Sequence, residues 1–396
     1  MRFSWWKSLP AGIIVIMPRT DVIKPYLFAS IDEKLNKLKN EGIEIISFGV
    51  GDPDSPPPME LRQKLSSMIL SDSMHNYSPY EGTNEFRKSA NAYMKRRYGA
   101  DFDTDSEIVG LIGSKEGIGN YFFAMTMPDS INLVPSLCYP IPGTITALGG
   151  GRTHVMPTLP EKGFLPDLSM ISPEVAEKAT LLYLNYPNNP TGVTAPLEYY
   201  KKALDFAEEN DLIIVHDNAY EEIYFNERPH SFFELSGAKK RVIEFHSLSK
   251  MFNITGWRLA FAVGNPALLK PLKTMKTNMD SGQFKPLQFA GAWALDNLID
   301  DFGAKQRNTY RKRMERILAA LRKTGAKVEI PGGTFFLWGK VPEGMTSHEY
   351  TDFMLDKYRI FITPGVMFGP EGEGYFRASM TVSEKLLEDA LTRLEK

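Results

Sequence analysis

Cysteine is almost missing: Cys138 is the single one in 396 residues, and one thiol cannot close an intrachain disulfide. The fold must rest on packing alone, and a reducing, cytoplasmic setting is expected. Histidine is scarce too, with six in all, and no cluster of Cys and His stands at metal-ligand spacing, so neither a structural zinc nor any other metal site is expected. Excess charge of either sign is absent. The 46 Lys and Arg against 48 Asp and Glu leave a net charge of -2, which provides no general attraction to nucleic acid or to an anionic membrane. Nor does any apolar run approach the roughly 20 residues of a membrane-spanning helix. At the start, Arg2 and Lys7 flank Trp5 and Trp6, and Gly12 to Met17 is apolar. That run is shorter than the core of a signal peptide, and no small-residue cleavage site follows it. Residues 1–16 are therefore expected to be an extension outside the fold, with Met17 a candidate start.

What is present is ample apolar material, 43% of the chain, enough for two or three domains or one large domain with an appendage. The most informative stretch is Ser247-Leu248-Ser249-Lys250, followed shortly by Arg258. Apolar runs, Val242 to Phe245 and Leu259 to Val263, flank it and read as buried strands, which places Lys250 and Arg258 on the turn between them. Desolvation there favours the neutral amine, the form that attacks a carbonyl to give a Schiff base. Ser247, Ser249 and the fork of Arg258 match the oxygens of a phosphate. A lysine beside a phosphate clamp suggests pyridoxal 5'-phosphate, although a solvated turn can carry the same residues.

Other stretches bear on that choice. Ile31 to Leu38 has helical spacing, Ile43 to Val50 reads as a strand ending at Gly51, and Pro58 opens a helix from Met59 to Leu70. Tyr77 and Tyr80 stand on a loop of turn formers, where Tyr80 is expected only to pack the loop. Gly113-Ser114-Lys115 joins an apolar run to a helix, and the exposed N–H groups of a helix start suit a phosphate. Ile131 to Val134 is a buried strand with Tyr139 beyond its carboxyl end, where an aromatic can stack on a planar ring. Cys138 reads as a small packed residue. Leu181 to Leu184 leads into Asn185-Tyr186-Pro187-Asn188-Asn189-Pro190-Thr191-Gly192, a polar loop with two prolines. After a helix from Leu197 to Asn210, the strand Leu212 to Val215 ends in His216-Asp217-Asn218-Ala219-Tyr220. Asp217 there can face a protonated ring nitrogen and Tyr220 a phenolic oxygen, with His216 as structural support. Strands and helices alternate from about residue 110 to 265, which argues a parallel α/β sheet with the site at its strand ends. Beyond Pro286 come long helices, Leu287 to Ile299 and Lys305 to Thr324, then short strands at Val328 to Ile330, Phe335 to Trp338 and Tyr375 to Ser379, an α+β unit. Arg377 in the last strand needs an anion, either a protein carboxylate or a substrate carboxylate.

Together, Asn189-Pro190-Thr191-Gly192, Asp217 with Tyr220, Ser247-x-Ser-Lys250 with Arg258, and Phe376-Arg377 resemble the fold type I pyridoxal-phosphate aminotransferases of the aspartate aminotransferase family, from about Pro18 onwards. The resemblance implies an α/β fold with a mostly parallel central sheet, helices on both faces and a smaller α+β domain. It implies an N-terminal arm and part of the small domain over 17–60, a large cofactor domain over 61–290 and a small C-terminal domain over 291–396. Lys250 would carry the cofactor and move the proton, Asp217 would pair with the ring nitrogen, and Asn189 and Tyr220 would bind the ring hydroxyl under a stacked Tyr139. Ser114, Lys115, Ser247, Ser249 and Arg258 would hold the phosphate, joined by Tyr77 from the neighbouring subunit of a homodimer. Arg377 and the amide of Gly51 would take the substrate carboxylate, with Asn189 beside it. The implied reaction is ping-pong amino transfer between an amino acid and a 2-oxo acid. Within the family, Phe48 to Asp54, Leu111 to Gly117, Gly163 to Asp167, Asn185 to Gly192, Glu244 to Lys250 and Thr255 to Gly264 are most similar to LL-diaminopimelate aminotransferases. Ala260, Pro142, Gln283 and Lys285 depart from that pattern. An aspartate or broad-specificity aminotransferase and a carbon-sulfur β-lyase share the same catalytic residues.

Overall fold

The structure is a computed structural model and describes residues 19–23 and 29–395, so the expected extension over 1–16 lies outside the described residues. Helix α1 (Ala29–Asn40), strand β1 (Ile46–Ser47) and helices α2 (Met59–Ile69) and α3 (Asn84–Tyr98) come first. An alternating stretch follows: β2 (Ile108–Leu111), α4 (Ser114–Met125), β3 (Ile131–Pro135), α5 (Ile141–Leu148), β4 (Arg152–Met156), α6 (Pro173–Lys178), β5 (Ala179–Leu184), α7 (Leu197–Glu209), β6 (Ile213–Asn218) and β7 (Val242–Ser247). Then come α8 (Leu248–Met251), β8 (Ala260–Gly264), α9 (Pro266–Met279), α10 (Lys285–Asn297) and the long α11 (Ile299–Lys323). The chain closes with β9 (Lys327–Val328), β10 (Phe336–Lys340), α12 (Ser347–Tyr358), β11 (Ile360–Phe361), β12 (Thr363–Pro364), β13 (Tyr375–Ser379) and α13 (Glu384–Leu394).

A seven-stranded sheet in the order β2-β8-β7-β6-β5-β3-β4 forms the centre. Strands β4, β3, β5, β6 and β7 run parallel, whereas β8 is antiparallel to both of its neighbours. The parallel expectation therefore fails at β8. The connection from β7 is too short to cross back over the sheet, so the chain must return in the opposite direction. Every residue of β5 to β7 is buried or nearly so; β5 reads as a largely apolar run, whereas β6 and β7 begin apolar and carry buried His216, Asp217, Asn218, Glu244 and His246 further along. The sheet order reverses between β3, which leads outward to β4, and β5, which leads the other way. Carboxyl ends of strands on either side of such a reversal leave a crevice.

A second unit packs over that crevice. It contains the antiparallel sheet β12-β13-β10-β9 and the parallel pair β1-β11, and its core joins Ile46 and Phe48 to Tyr310, Met314, Leu337, Phe376 and Leu387. The strand expected over Ile43 to Val50 shrinks to the two residues of β1. The segment after it spends its backbone groups elsewhere: the Phe48 carbonyl accepts from Ser379 N, and the Gly49 carbonyl accepts from Arg377 Nη2.

Candidate active site

Lys250 lies in the single turn of α8, directly after β7, and its ammonium donates to the Gly51 carbonyl at 3.1 Å. Burial draws its pKa down to about 8, Arg258 and Arg377 push the same way, and Asp52 opposes them. Asp217, near the end of β6, is buried, and loss of hydration pushes its carboxyl up to about 6. The Tyr183 hydroxyl donates to Asp217 Oδ2 at 3.0 Å, while Oδ1 has no hydrogen-bond partner. A buried acceptor left open is costly unless a donor arrives from outside the chain. Tyr220 is buried edge-on against Phe335 and Phe336, and burial raises its phenol above the ordinary range.

At one end of the crevice, Ser114 and Lys115 open α4, and the Lys115 ammonium stands 5.6 Å over the Tyr139 ring. Ser247 caps α8 by accepting from Ser249 N at 3.3 Å. Arg258 has left-handed backbone, φ 60°, and its guanidinium donates to the Thr255 carbonyl at 2.7 Å. Gly113 must be glycine here: its φ is 96°, and a Cβ would fall 2.2 Å from Arg258 Nη2. At the other end, Arg377 is 3% exposed and donates to Asn189 Oδ1 at 2.8 Å and to the Gly49 carbonyl at 2.6 Å. Its guanidinium lies over Phe336 and Phe368. Asn185 braces the middle, donating to the Asp217 carbonyl at 2.8 Å and accepting from Asn189 N at 3.1 Å. Pro187 and Pro190 both follow cis peptide bonds.

One cavity of about 430 Å³ is lined by Gly51, Ser114, Lys115, Tyr139, Asn189, Asp217, Tyr220, Ser247, Ser249, Lys250, Arg258 and Arg377. Among the site residues expected from the sequence, Tyr77 is the one outside it, 84% exposed on its loop. Tyr80, read as loop packing, is 48% exposed. Gln283 and Lys285 are not in this wall: Gln283 is buried beside Gly110, and Lys285 donates to Asn76 at 2.5 Å, next to Tyr77. His216 is buried between Tyr200 and Glu244, and burial pushes the Cys138 thiol up to about 12, which suits a packed residue. Sequence reasoning missed Tyr183, Asn185 and Thr255. Tyr183 sits in an apolar strand, and only the pairing of β5 with β6 brings its hydroxyl to Asp217. The Thr255 hydroxyl donates to Asp52 Oδ1 at 2.5 Å, tying the loop after β1 to the Arg258 turn.

The model of the class I and II aminotransferase family matches residues 43–394. The chain belongs to that family. This aminotransferase is 45% identical to an LL-diaminopimelate aminotransferase of Halothermothrix orenii, over 96% of this chain and 98% of that protein. It is 43% identical to LL-diaminopimelate aminotransferase 2 of Trichormus variabilis, over 95% and 97%. Among solved structures, substrate-bound BacF from Bacillus subtilis superposes with a TM-score of 0.91 at 34% identity, covering 96% of this chain and 98% of that one. The enzyme moves an amino group between an amino acid and a 2-oxo acid, as its family does, and that family works with pyridoxal phosphate. Among the described residues, no helix is long and apolar enough to cross a membrane, and no group of three or more His, Cys, Asp or Glu could hold a metal ion.

Proposed function

We propose that the cavity holds pyridoxal 5'-phosphate and that the enzyme transfers an amino group from LL-diaminopimelate to 2-oxoglutarate. The observation that carries the cofactor assignment is the open, buried Asp217 Oδ1 on the wall of the cavity that also holds Lys250. A ring N–H is the donor that oxygen lacks, and an ionised carboxylate opposite it keeps the nitrogen protonated. When bound, the cofactor supplies the carbonyl carbon that receives the amino group and a ring that accepts the electron pair. The chain's own residues do the rest. Lys250, its proton loosened by desolvation to a pKa of about 8, is the covalent anchor and, once deprotonated, the base that carries a proton to and from the substrate carbon. Ser114, Lys115, Ser247, Ser249 and Arg258 offer hydroxyl, ammonium and guanidinium donors to the phosphate. Tyr139 faces the ring, and Tyr220 and Asn189 donate to its hydroxyl; because Asn189 Oδ1 already accepts from Arg377, the amide nitrogen is the group left to donate. Arg377 takes the substrate's carboxylate beside Gly51.

The substrate rests on the relatives, since proteins named for LL-diaminopimelate transfer are 43 to 45% identical across nearly the whole chain. Tyr77, exposed at 84%, is assigned to the phosphate of a second copy in a homodimer, and the cytoplasm is its place of work. The test supplies the purified enzyme with pyridoxal phosphate, 2-oxoglutarate and one amino acid at a time, and measures glutamate. Equimolar glutamate from LL-diaminopimelate is the expected result. Transfer from aspartate but not from LL-diaminopimelate would overturn the substrate. Pyruvate and ammonia released from cystathionine without any 2-oxo acid would make the protein a β-lyase.

A further inference from the structure

On the face of the sheet turned away from the cavity, β6 and β7 change character along their length. Ile214 and Val242 are apolar, but nearer the carboxyl ends the same face carries His216, Asn218, Glu244 and His246, all fully buried. His216 Nδ1 lies 2.9 Å from Glu244 Oε1, and His246 Nε2 lies 3.3 Å from Glu244 Oε2, an ion-pair contact without hydrogen-bond alignment. His246 Nδ1 meets both oxygens of Glu221 at 2.8 and 2.9 Å. Tyr98 donates to Glu221 Oε2 at 2.6 Å, and Asn218 reaches the same oxygen at 3.3 Å.

Taking such a row out of water is expensive, and apolar residues of equal volume often stabilise a core as well. Its position is what needs explaining. Asp217 projects from the opposite face between His216 and Asn218, and both neighbours are bonded into the row. Tyr220 precedes Glu221, which belongs to it, and Glu222, which accepts from Tyr93 at 2.8 Å and Arg97 at 2.7 Å. Each residue next to Asp217, and the residue after Tyr220, is thus held from behind the sheet.

We infer that Glu221, His246, Glu244 and His216 form a positioning row that fixes Asp217 and Tyr220 against the ring of the cofactor and keeps a positive charge behind the Asp217 carboxylate. The inference rests on the cofactor reading above. It is supported by the charge states that the geometry favours. Burial acts to lower the His246 pKa, but its two carboxylate neighbours, Glu221 and Glu244, together outweigh it and raise the imidazole to about 10, so it stays protonated through neutral pH; both His216 and His246 act to lower the Asp217 carboxyl. The row touches neither ring nor substrate; it acts through residues that do.

The test compares wild type, His246→Gln, Tyr98→Phe and, as a stability control outside the cavity wall, Leu387→Ala in the core of the second unit. For each, thermal unfolding, pyridoxal-phosphate Kd by equilibrium dialysis, visible circular dichroism of the bound cofactor, and kcat and KM are measured. His246→Gln should weaken or move the visible band and lower kcat by about 10- to 100-fold, the usual loss when the outer partner of a site group is removed, with KM within about threefold. Tyr98→Phe leaves no charge unpaired, and it should shift the band in the same direction and lower kcat by about threefold. Leu387→Ala should unfold at lower temperature with band and kcat unchanged. Wild-type band, Kd and kcat in His246→Gln would overturn the positioning row, as would a wild-type band and kcat in Tyr98→Phe should His246→Gln fail to fold. No visible band in wild type supplied with cofactor would overturn the cofactor reading itself, and the row's role with it.

Discussion

Lys250 and Asp217 are both held in the protein at a free-energy cost, in opposite senses. For Lys250 the folded pKa is about 8 against 10.5 for the ordinary side chain, so the unfolded chain binds more protons between those values and stability rises with pH across that window. The penalty is fully present below about pH 8 and gone above 10.5. In cofactor-free protein, Lys250→Met should therefore raise the urea unfolding free energy at pH 7 by roughly 3 kcal/mol, with the gain fading towards pH 10.5. An equal gain at both pH values would remove desolvation as the cause. The same substitution should lower amino transfer by at least about 10²- to 10⁴-fold, because the proton carrier is lost. Asp217 runs the other way. Its carboxyl rises from 3.8 to about 6, so the folded cofactor-free protein holds the extra proton and loses stability as pH climbs through that range. Asp217→Asn should flatten that slope in cofactor-free protein while weakening cofactor binding, both read by urea titration and dialysis.

At the scale of elements, the site depends on turns whose geometry is set by contacts from elsewhere in the chain. The turn before α4 exists only with glycine at 113. Gly113→Ala adds a Cβ against Arg258 on a backbone with φ 96°, and it should weaken the cofactor at least about tenfold, measured by dialysis, as the guanidinium is driven off its Thr255 anchor. The loop after β1 is tied down just as firmly: Arg313 on α11 grips Asp54 through two bonds, 2.6 and 3.0 Å, and also reaches Glu384 and the Met380 carbonyl. Arg313→Ala leaves Asp54 without its counter-charge, and should cost about 2–4 kcal/mol in urea unfolding. Of these elements, the helix at Met59, the strand at Leu181 and the strand at Tyr375 were legible from periodicity to within a residue or two. The short β1 was not, because Phe48 and Gly49 pair with residues more than 300 positions away.

For the whole molecule, the question is whether a second copy completes each site. Tyr77 is exposed and lies outside the cavity of its own chain. If it serves the partner, mixing Tyr77→Ala with Lys250→Ala subunits creates one site that has an intact lysine and receives an intact tyrosine from across the interface. Activity in the refolded mixture should then exceed that of either variant alone, approaching about a quarter of wild type when subunits pair at random. Activity no higher than the average of the two parents would place Tyr77 in service of its own subunit.

By itself the sequence determined the chemistry that stands close along the chain. Lys250 and Arg258 share one turn, Asp217 and Tyr220 share one strand end, and Asn189 lies in a loop marked by two prolines, so their types and spacing suggested a cofactor, and their resemblance to a known family implied the reaction. The apolar runs of β5, β6 and β7 likewise announced a buried sheet. Only the tertiary structure decided what lies between distant segments: the reversed direction of β8, the Tyr183 hydroxyl on Asp217, the Asp54–Arg313 clasp, and the row from Glu221 to His216 behind the sheet. The physical reason is that a side chain's partner across a sheet depends on strand order and register, which arise from packing the whole core. No local pattern of apolar and polar residues contains that information.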